Sequence, residues 1–482
     1  MDQSRAPVLE ALVAYHERGD LSFTPPGHKQ GRGVDPRVLA VLGEGVFKAD
    51  VLLPNGLDDR RMTGGVLEEA QQLMAEAVNA QTAFFSTCGS SLSVKSAMLS
   101  VAGPGEKLLV ARDSHKSVIS GLILSGVEPI WVHPGWDADL HFSYPPSPAA
   151  VEAAFKAEPD ARGVLVASPT DYGTCADLAG IKQVCVRHDR TFIVDEAWGA
   201  HLPFHPQGLP VWGMNAGADV CVTSVHKMGN GLEQGSVFHL RGDRVDPNVL
   251  KAREDLLGTT SPSTLIYAAM DGWRRQMVEQ GKELLDRAIN LAMSARASIN
   301  QIGGLRVLDK ESCDAFELDP LKIVIDVAGL GADGYHAADW LRQRTHINMA
   351  LSDHRRITAE ITVGDDTGTT NVLVESLRAM AAAGDLPSAA KIDLPGPGEL
   401  ELETVMSPRD AFFGRTEQVP IEKAAGRVIA EMVTPYPPGA PALTPGELIT
   451  APVLRYVSTG VAAGMNIPDA CDPTLRTLRV VA

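Results

Sequence analysis

Ser224, His226 and Lys227 close a short apolar run, Asp219-Val220-Cys221-Val222-Thr223-Ser224. β-Branched residues in such a run indicate a buried strand. A lysine just past a buried strand end can serve as an amine nucleophile, because desolvation disfavours its charged form. Taken alone, the pattern is met more often as a surface lysine following a strand. A second strand end changes the balance. Thr191-Phe192-Ile193-Val194-Asp195-Glu196-Ala197-Trp198 is another apolar run that ends in an acid, and Lys227 follows Asp195 by 32 residues. That is a plausible strand-to-strand connection in an α/β sheet.

An acid and a lysine at neighbouring strand ends are what pyridoxal 5′-phosphate requires. The lysine carries the cofactor aldehyde, and the acid keeps the pyridine nitrogen protonated so that the ring can accept electrons. A phosphate site also stands upstream. Thr82–Ser86 reads as a short strand, followed by Cys88-Gly89-Ser90-Ser91 and a helix through Leu99. The free N–H groups and dipole of a helix start both favour an anion. Without the lysine and acid, the serines would read as an ordinary N-cap.

These segments carry a family resemblance. Ser224-Val225-His226-Lys227, with Phe23-Thr24-Pro25-Pro26-Gly27-His28-Lys29, Asp113-Ser114-His115-Lys116-Ser117 and Thr259-Thr260-Ser261-Pro262-Ser263, resembles the ornithine/lysine/arginine decarboxylases. Met406-Ser407-Pro408-Arg409-Asp410-Ala411-Phe412-Phe413 and Pro435-Tyr436-Pro437-Pro438-Gly439 extend the match in the family's order over nearly the whole chain. The resemblance implies a fold-type I (aspartate aminotransferase-like) large domain with a mostly parallel sheet, a small α/β domain and a C-terminal decarboxylase-family module. It implies decarboxylation of arginine, lysine or ornithine. It also implies roles: Lys227 holds the cofactor, Asp195 pairs with the ring nitrogen and His115 stacks on the ring. Ser90, Ser91, Ser224 and His226 surround the phosphate, and Trp198 flanks the cofactor. Thr260 or Ser261 reaches the phosphate of a neighbouring subunit, since sites of this type lie at dimer interfaces. His28 is placed at the site mouth. The first motif begins at Phe23, so a short form without an N-terminal receiver-like domain is expected.

Two residues depart from the family pattern. Asp171, in Ser168-Pro169-Thr170-Asp171-Tyr172-Gly173, falls near a position usually aromatic, and Glu233 falls where a small or hydroxyl residue is usual. Either acid is a candidate for the substrate's distal cation, with Glu233 placed slightly ahead. Transamination or elimination on the same cofactor is the rival chemistry. Arg355 and Arg356 lie near the place where a transaminase holds the α-carboxylate. A non-catalytic regulator that keeps the fold is the rival from another class, and intact Lys227 and Asp195 argue against it.

The elements that must position these residues follow from periodicity. Strands are expected at Lys107–Ala111, Glu128–His133, Gly163–Ser168 and Gly235–Arg241, the last closing the large domain's sheet. Helices are expected at Val66–Ala80, Ser117–Ser125 and Leu178–His188. Such alternation indicates a mostly parallel sheet, with ligands beyond its carboxyl ends. An N-terminal helix is expected to present Val8, Leu9, Leu12 and Val13 on one face. Leu265 to about Asn300 reads as helical. Strands at Ile323–Val327 and Ile357–Val363, with helices at Tyr335–Gln343 and Thr370–Ala383, make the small domain. Residues 384–398 read as a linker. The expected segments are 1–45 (arm and loop), 46–275 (large domain), 276–390 (small domain) and 391–482 (C-terminal module).

Composition is that of an ordinary globular chain: 482 residues, 44% hydrophobic and 21% charged. The net charge of −17 disfavours nucleic acid and suits a cationic substrate. The six cysteines, Cys88, Cys175, Cys185, Cys221, Cys313 and Cys471, form no CxxC pair. Buried reduced thiols are expected rather than disulfides or a metal site. No segment reads as a membrane span or signal peptide, so a cytoplasmic location is expected; a homodimer or higher homo-oligomer is what the family resemblance implies.

Overall fold

The computed structural model describes residues 1–52, 65–311, 315–436 and 439–482. Cys313, and the Pro437-Pro438 pair of the Pro435–Gly439 motif, lie outside the described residues. Packing divides the chain into two compact units. The first is Met1–Ser100, Val194–Gln207 and Val211–Leu284; the second is Val101–Ile193, Gly208–Pro210 and Leu285–Ala482. The boundaries fall inside the strand Thr191–Asp195 and the helix Thr264–Ile299. They follow packing, whereas the four segments expected from the sequence remain a proposal about modules.

In the first unit, the helix Pro7–Arg18 starts on a proline at its first turn and stops at Gly19, whose φ of 65° is left-handed. It buries Val8, Leu12 and Tyr15. Leu9 and Val13 are exposed, contrary to the expected stripe. A repeat of 3.6 residues lines up 8, 12 and 15 and turns 9 and 13 about 100° away. The arm is pinned by a fully buried pair, Arg274–Asp271 at 3.1 Å. Asp271 accepts from Val8 N at 2.8 Å and Arg274 donates to Gln3 O at 2.7 Å.

The strands of this unit are Thr82–Ser86, Ser236–Leu240 and Val220–Ser224, joined by the end of Thr191–Asp195. Ser236–Leu240 was expected to close the sheet. It lies instead between Thr82–Ser86 and Val220–Ser224, antiparallel to both. All five of its residues are buried, which suits an interior strand. The helices Pro36–Leu42 and Glu44–Ala49 were not anticipated. Neither buries a residue; Val38, Val41 and Leu42 of the first are apolar but exposed. Pro247–Leu257, also unanticipated, buries only Leu250.

In the second unit, Lys107–Ala111 pairs in parallel with Glu128–Val132 and with Gly163–Ala167. The start of Thr191–Asp195 continues this order. The helices Lys116–Ser125, Pro148–Ala157 and Leu178–His188 make the crossovers. A smaller antiparallel sheet is formed by Arg306–Val307, Lys322–Asp326, Arg356–Glu360 and Leu351–Ser352. Its two main strands begin one residue earlier than the apolar pattern suggested, because Lys322 and Arg356 are themselves buried. The helix Thr367–Ala383 opens on a capping box at Asp366.

The C-terminal part of this unit packs around Ile429, Val433, Leu443, Ile449, Val453 and Leu478. A charged pair joins it to the parallel strands. Arg112, just past Lys107–Ala111, donates to Glu447 at 3.1 and 3.0 Å and to Pro441 O at 2.7 Å. Glu447 also accepts from Thr444 N at 2.8 Å. Of the described cysteines, Cys175, Cys185 and Cys221 are buried free thiols, Cys88 is half-buried, and Cys471 is exposed, departing from the buried expectation. Among the described residues no helix is long and apolar enough to cross a membrane.

The Arg112–Glu447 pair yields a stability test. Glu447→Ala leaves a nearly buried guanidinium without its counter-charge, which is expected to cost about 3–5 kcal/mol. Urea denaturation of the variant and parent measures it; a loss under ~1 kcal/mol would show that the pair is not what fastens the C-terminal part.

Candidate active site

The strand Thr191–Asp195, whose end belongs to the first unit, and the strand Val220–Ser224 are both wholly buried and lie side by side. Glu196 N donates to Val222 O at 2.9 Å and Ser224 N to Ala197 O at 3.3 Å, so their ends are level. Asp195 and Glu196 are consecutive, and successive side chains leave a strand on opposite faces. Glu196 turns to a pocket of its own. Its carboxyl is fully buried, accepts from Gly213 N at 3.1 Å, and is pushed well up by burial. Gly213 must be glycine there, since a Cβ would stand 2.4 Å from Cys221 Sγ and 2.6 Å from Glu196 Oε2. The Asp195 carboxylate, 6% exposed, accepts from Ala197 N at 3.3 Å.

Past Ser224 the chain turns. Lys227 N donates to Ser224 O at 3.3 Å, and the Lys227 amine lies 4.0 Å above the centre of the Trp198 ring. A cation over an indole face is electrostatically favoured, and the contact holds the amine in place. Ser224 Oγ donates to Ser90 Oγ at 2.7 Å. Ser90 and Ser91 stand in the first turn of the helix Gly89–Val101, and Gly89 (φ 73°) donates to Gln234 O at 2.9 Å. His226 Nδ1 lies 3.2 Å from Gly235 O, which assigns the proton to Nδ1; burial lowers the pKa of this ring. A lysine amine, a strand-end carboxylate and hydroxyls at a helix start are the donor set that pyridoxal phosphate needs, so these residues fit the group.

Other anticipated residues of this unit are placed as follows. Thr260 and Ser261 are exposed. His28 is half-buried, with Nε2 3.1 Å from Asp50 and its ring edge-on to Phe47. Glu233 is exposed, and its charge acts on His226.

In the second unit, His115 caps the helix Lys116–Ser125. Its Nδ1 accepts from Ser117 N at 3.2 Å, so the ring proton belongs on Nε2. Lys116 N donates to Gly439 O at 2.9 Å, which brings Gly439 beside the imidazole. Gly439 has φ of 97°, and a Cβ there would stand 3.0 Å from His115 Cδ2 and 3.2 Å from the Tyr436 ring. Asp171 is half-buried beside Asp113, Tyr172 and Lys322, each of which feels its charge. Lys322 is almost fully buried and pairs with Glu360 at 2.7 Å. Both arginines considered for a transaminase are engaged. Arg355 donates to Asp326 and to Asp139 O, each at 2.7 Å; Arg356 donates to Asp353 at 3.1 Å and to Leu140 O.

Sequence reasoning singled out neither the Asp113 carboxylate nor the contact of Gly439 with His115. Both lie inside the quoted motifs, and that was their only signal.

The architecture is that of fold-type I pyridoxal phosphate enzymes, a mostly parallel sheet within a mixed α/β chain. The solved structure of Escherichia coli constitutive lysine decarboxylase matches it with a TM-score of 0.84, covering 100% of this chain and 82% of that one at 22% identity. The family model described as Orn/Lys/Arg decarboxylase, major domain, matches residues 6–368, and its C-terminal domain model matches 399–469. Arginine decarboxylase of Halalkalibacterium halodurans is 39% identical over 489 residues, 99% of this chain and 98% of the relative. Arginine decarboxylase of Bacillus anthracis is 39% identical over 488 residues, 100% and 98% respectively. The chain belongs to the ornithine/lysine/arginine decarboxylase family. It is an amino-acid decarboxylase acting on a basic amino acid, with pyridoxal phosphate as its cofactor.

The Gly439 contact is directly testable. Gly439→Ala combines an unfavourable φ with a close approach to His115, and is expected to lower kcat about tenfold or more. Steady-state kinetics beside the absorption spectrum of the holoenzyme checks it; parental kcat would show that the imidazole can give way.

Proposed function

We propose that this chain decarboxylates arginine to agmatine and CO2. The observation that carries the choice is the 39% identity, over essentially full length, to two proteins named arginine decarboxylase. Incubating the holoenzyme separately with arginine, lysine and ornithine, and measuring CO2 and the amine formed, tests it. Faster turnover of lysine or ornithine than of arginine would overturn the substrate and leave the family standing.

Bound pyridoxal phosphate supplies a sink for the electron pair left on Cα when CO2 departs. The chain's residues do the rest. Lys227 would hold the cofactor through its amine. Asp195 holds a proton on the ring nitrogen. Ser90, Ser91, Ser224 and His226 receive the phosphate, Trp198 fixes the lysine, and His115 occupies the family's ring-stacking position. Decarboxylation requires the α-carboxylate to be free to leave. The engagement of Arg355 and Arg356 with Asp326 and Asp353 favours that outcome over transamination.

The substrate's distal cation needs an acid, and magnitude separates the two candidates. A fully exposed ion pair contributes only ~0–1 kcal/mol, and Glu233 is exposed whereas Asp171 is half-buried. This reverses the order given by the sequence. Asp171→Asn is expected to raise KM about tenfold or more, the loss of ~1.4 kcal/mol or more. Glu233→Gln is expected to change it less than about threefold. The reverse ranking in measured KM values would return Glu233 to first place.

We further propose that the chain works in the cytoplasm in polyamine formation, as a homodimer in which Thr260 or Ser261 serves the neighbouring subunit. The exposure of both residues supports this; full activity in a light-scattering-verified monomer would contradict it.

Asp195→Asn is expected to keep the cofactor bound and to lower kcat about a hundredfold or more, because a neutral amide cannot balance a protonated ring nitrogen. Cofactor content and kcat measured on the same sample decide it. Near-parental kcat would assign the ring nitrogen to a different acid.

A further inference from the structure

The second unit contains a cavity of about 240 Å³, several times the ~30 Å³ share of a water molecule. Asp113, His354, Trp136, Tyr172, Tyr335 and Tyr456 are among its lining residues. Both carboxylate oxygens of Asp113 are buried without a hydrogen-bond partner, and so is Nε2 of His354. A buried carboxylate is not tolerated unpaired without reason, and Asp113 and His354 both belong to the wall of this one cavity, which points to a ligand that completes them.

The charge of that ligand follows from the surroundings. Two arginines line the cavity, and each is already matched: Arg112 by Glu447 at 3.0 Å and Arg356 by Asp353 at 3.1 Å. Asp353 is further occupied as acceptor of the Tyr172 hydroxyl at 2.7 Å. The charge left over is that of Asp113, and the exposed Glu401 adds a second negative group to the lining. An anion would find no unmatched cation here. Aromatic walls suit an organic cation, whose charge is drawn to the ring faces and whose methylenes pack against them.

We propose that this cavity binds a small organic cation, an alkyl ammonium or alkyl guanidinium, with Asp113 as its counter-ion. Burial pushes the Asp113 carboxyl up to about 7, with the Asp171 charge adding to the rise and Arg112 opposing it, so a bound cation stabilises the carboxylate form. Burial also lowers the His354 pKa, leaving a neutral ring whose Nε2 can serve the ligand's N–H. The ligand class follows from these residues and not from the choice of arginine as substrate.

Calorimetric titration of the holoenzyme with agmatine and with cadaverine tests the site without turnover. At least one amine is expected to bind, and Asp113→Asn is expected to raise its Kd about tenfold or more, as for loss of a charge-assisted contact. Failure of both amines to bind, or an unchanged Kd in the variant, overturns the proposal. Kinetics of the same variant separates two sources of the cation. If KM rises in step with Kd, the site receives the substrate's own side chain; if KM holds, it receives a free amine. Should Asp113→Asn fail to fold, crystals of the parent protein grown with the same amines decide. A nitrogen within about 3.2 Å of the Asp113 carboxylate is expected, and a cavity without amine overturns the site. A failed activity assay on arginine would leave this result untouched.

Discussion

The Asp195 carboxylate and the Lys227 amine depend on two neighbouring strands in which every residue is buried. A strand covered on both faces is fixed in register, because a slip of one residue would exchange its two sets of side chains. That constraint sends Glu196 to Gly213 and Cys221 and leaves Asp195 on the other face. The antiparallel strand Ser236–Leu240 adds a second lock, pairing Ser236 with Ser224 and Phe238 with Val222. With Ser224 fixed, its hydroxyl fixes Ser90, and the helix start at Gly89–Val101 is brought to the same strand end.

The second unit follows a different rule: charges are buried in matched pairs. Arg112 with Glu447, Lys322 with Glu360 and Arg356 with Asp353 each place a nearly buried cation against an acid. Such pairs add little net stability over an apolar core, but breaking one is costly, so they hold their segments in fixed positions. The Arg112–Glu447 pair and the Lys116–Gly439 hydrogen bond together carry Gly439 to His115. The same rule makes Asp113 conspicuous, since its two oxygens have no partner.

Much of this was legible in the sequence, for definite reasons. The strands ending at Asp195 and Ser224 are unbroken apolar runs, and the glycine and serines at 89–91 announce a helix start, so the first unit's constellation could be assembled before any fold was known. The antiparallel placement of Ser236–Leu240 could not, because an apolar run carries no strand direction. The helices at 36–42 and 44–49 are short, and the apolar Val38, Val41 and Leu42 are exposed, so their pattern marks no buried face. Leu9 and Val13 are apolar but face outward, which composition alone cannot reveal. Glu447 and Gly439 depend on contacts with residues hundreds of positions away, and neither has a local signature. The difference in exposure between Glu233 and Asp171 depends on packing and has no local signature.

Every role proposed at the site depends on Lys227 as the residue that carries the cofactor. Reducing the holoenzyme with borohydride, digesting it and locating the pyridoxyl group by peptide mass spectrometry tests this most directly. The modified peptide should contain Ser224-Val225-His226-Lys227 with the label on Lys227; a label on any other lysine would contradict the assignment and the site built around it.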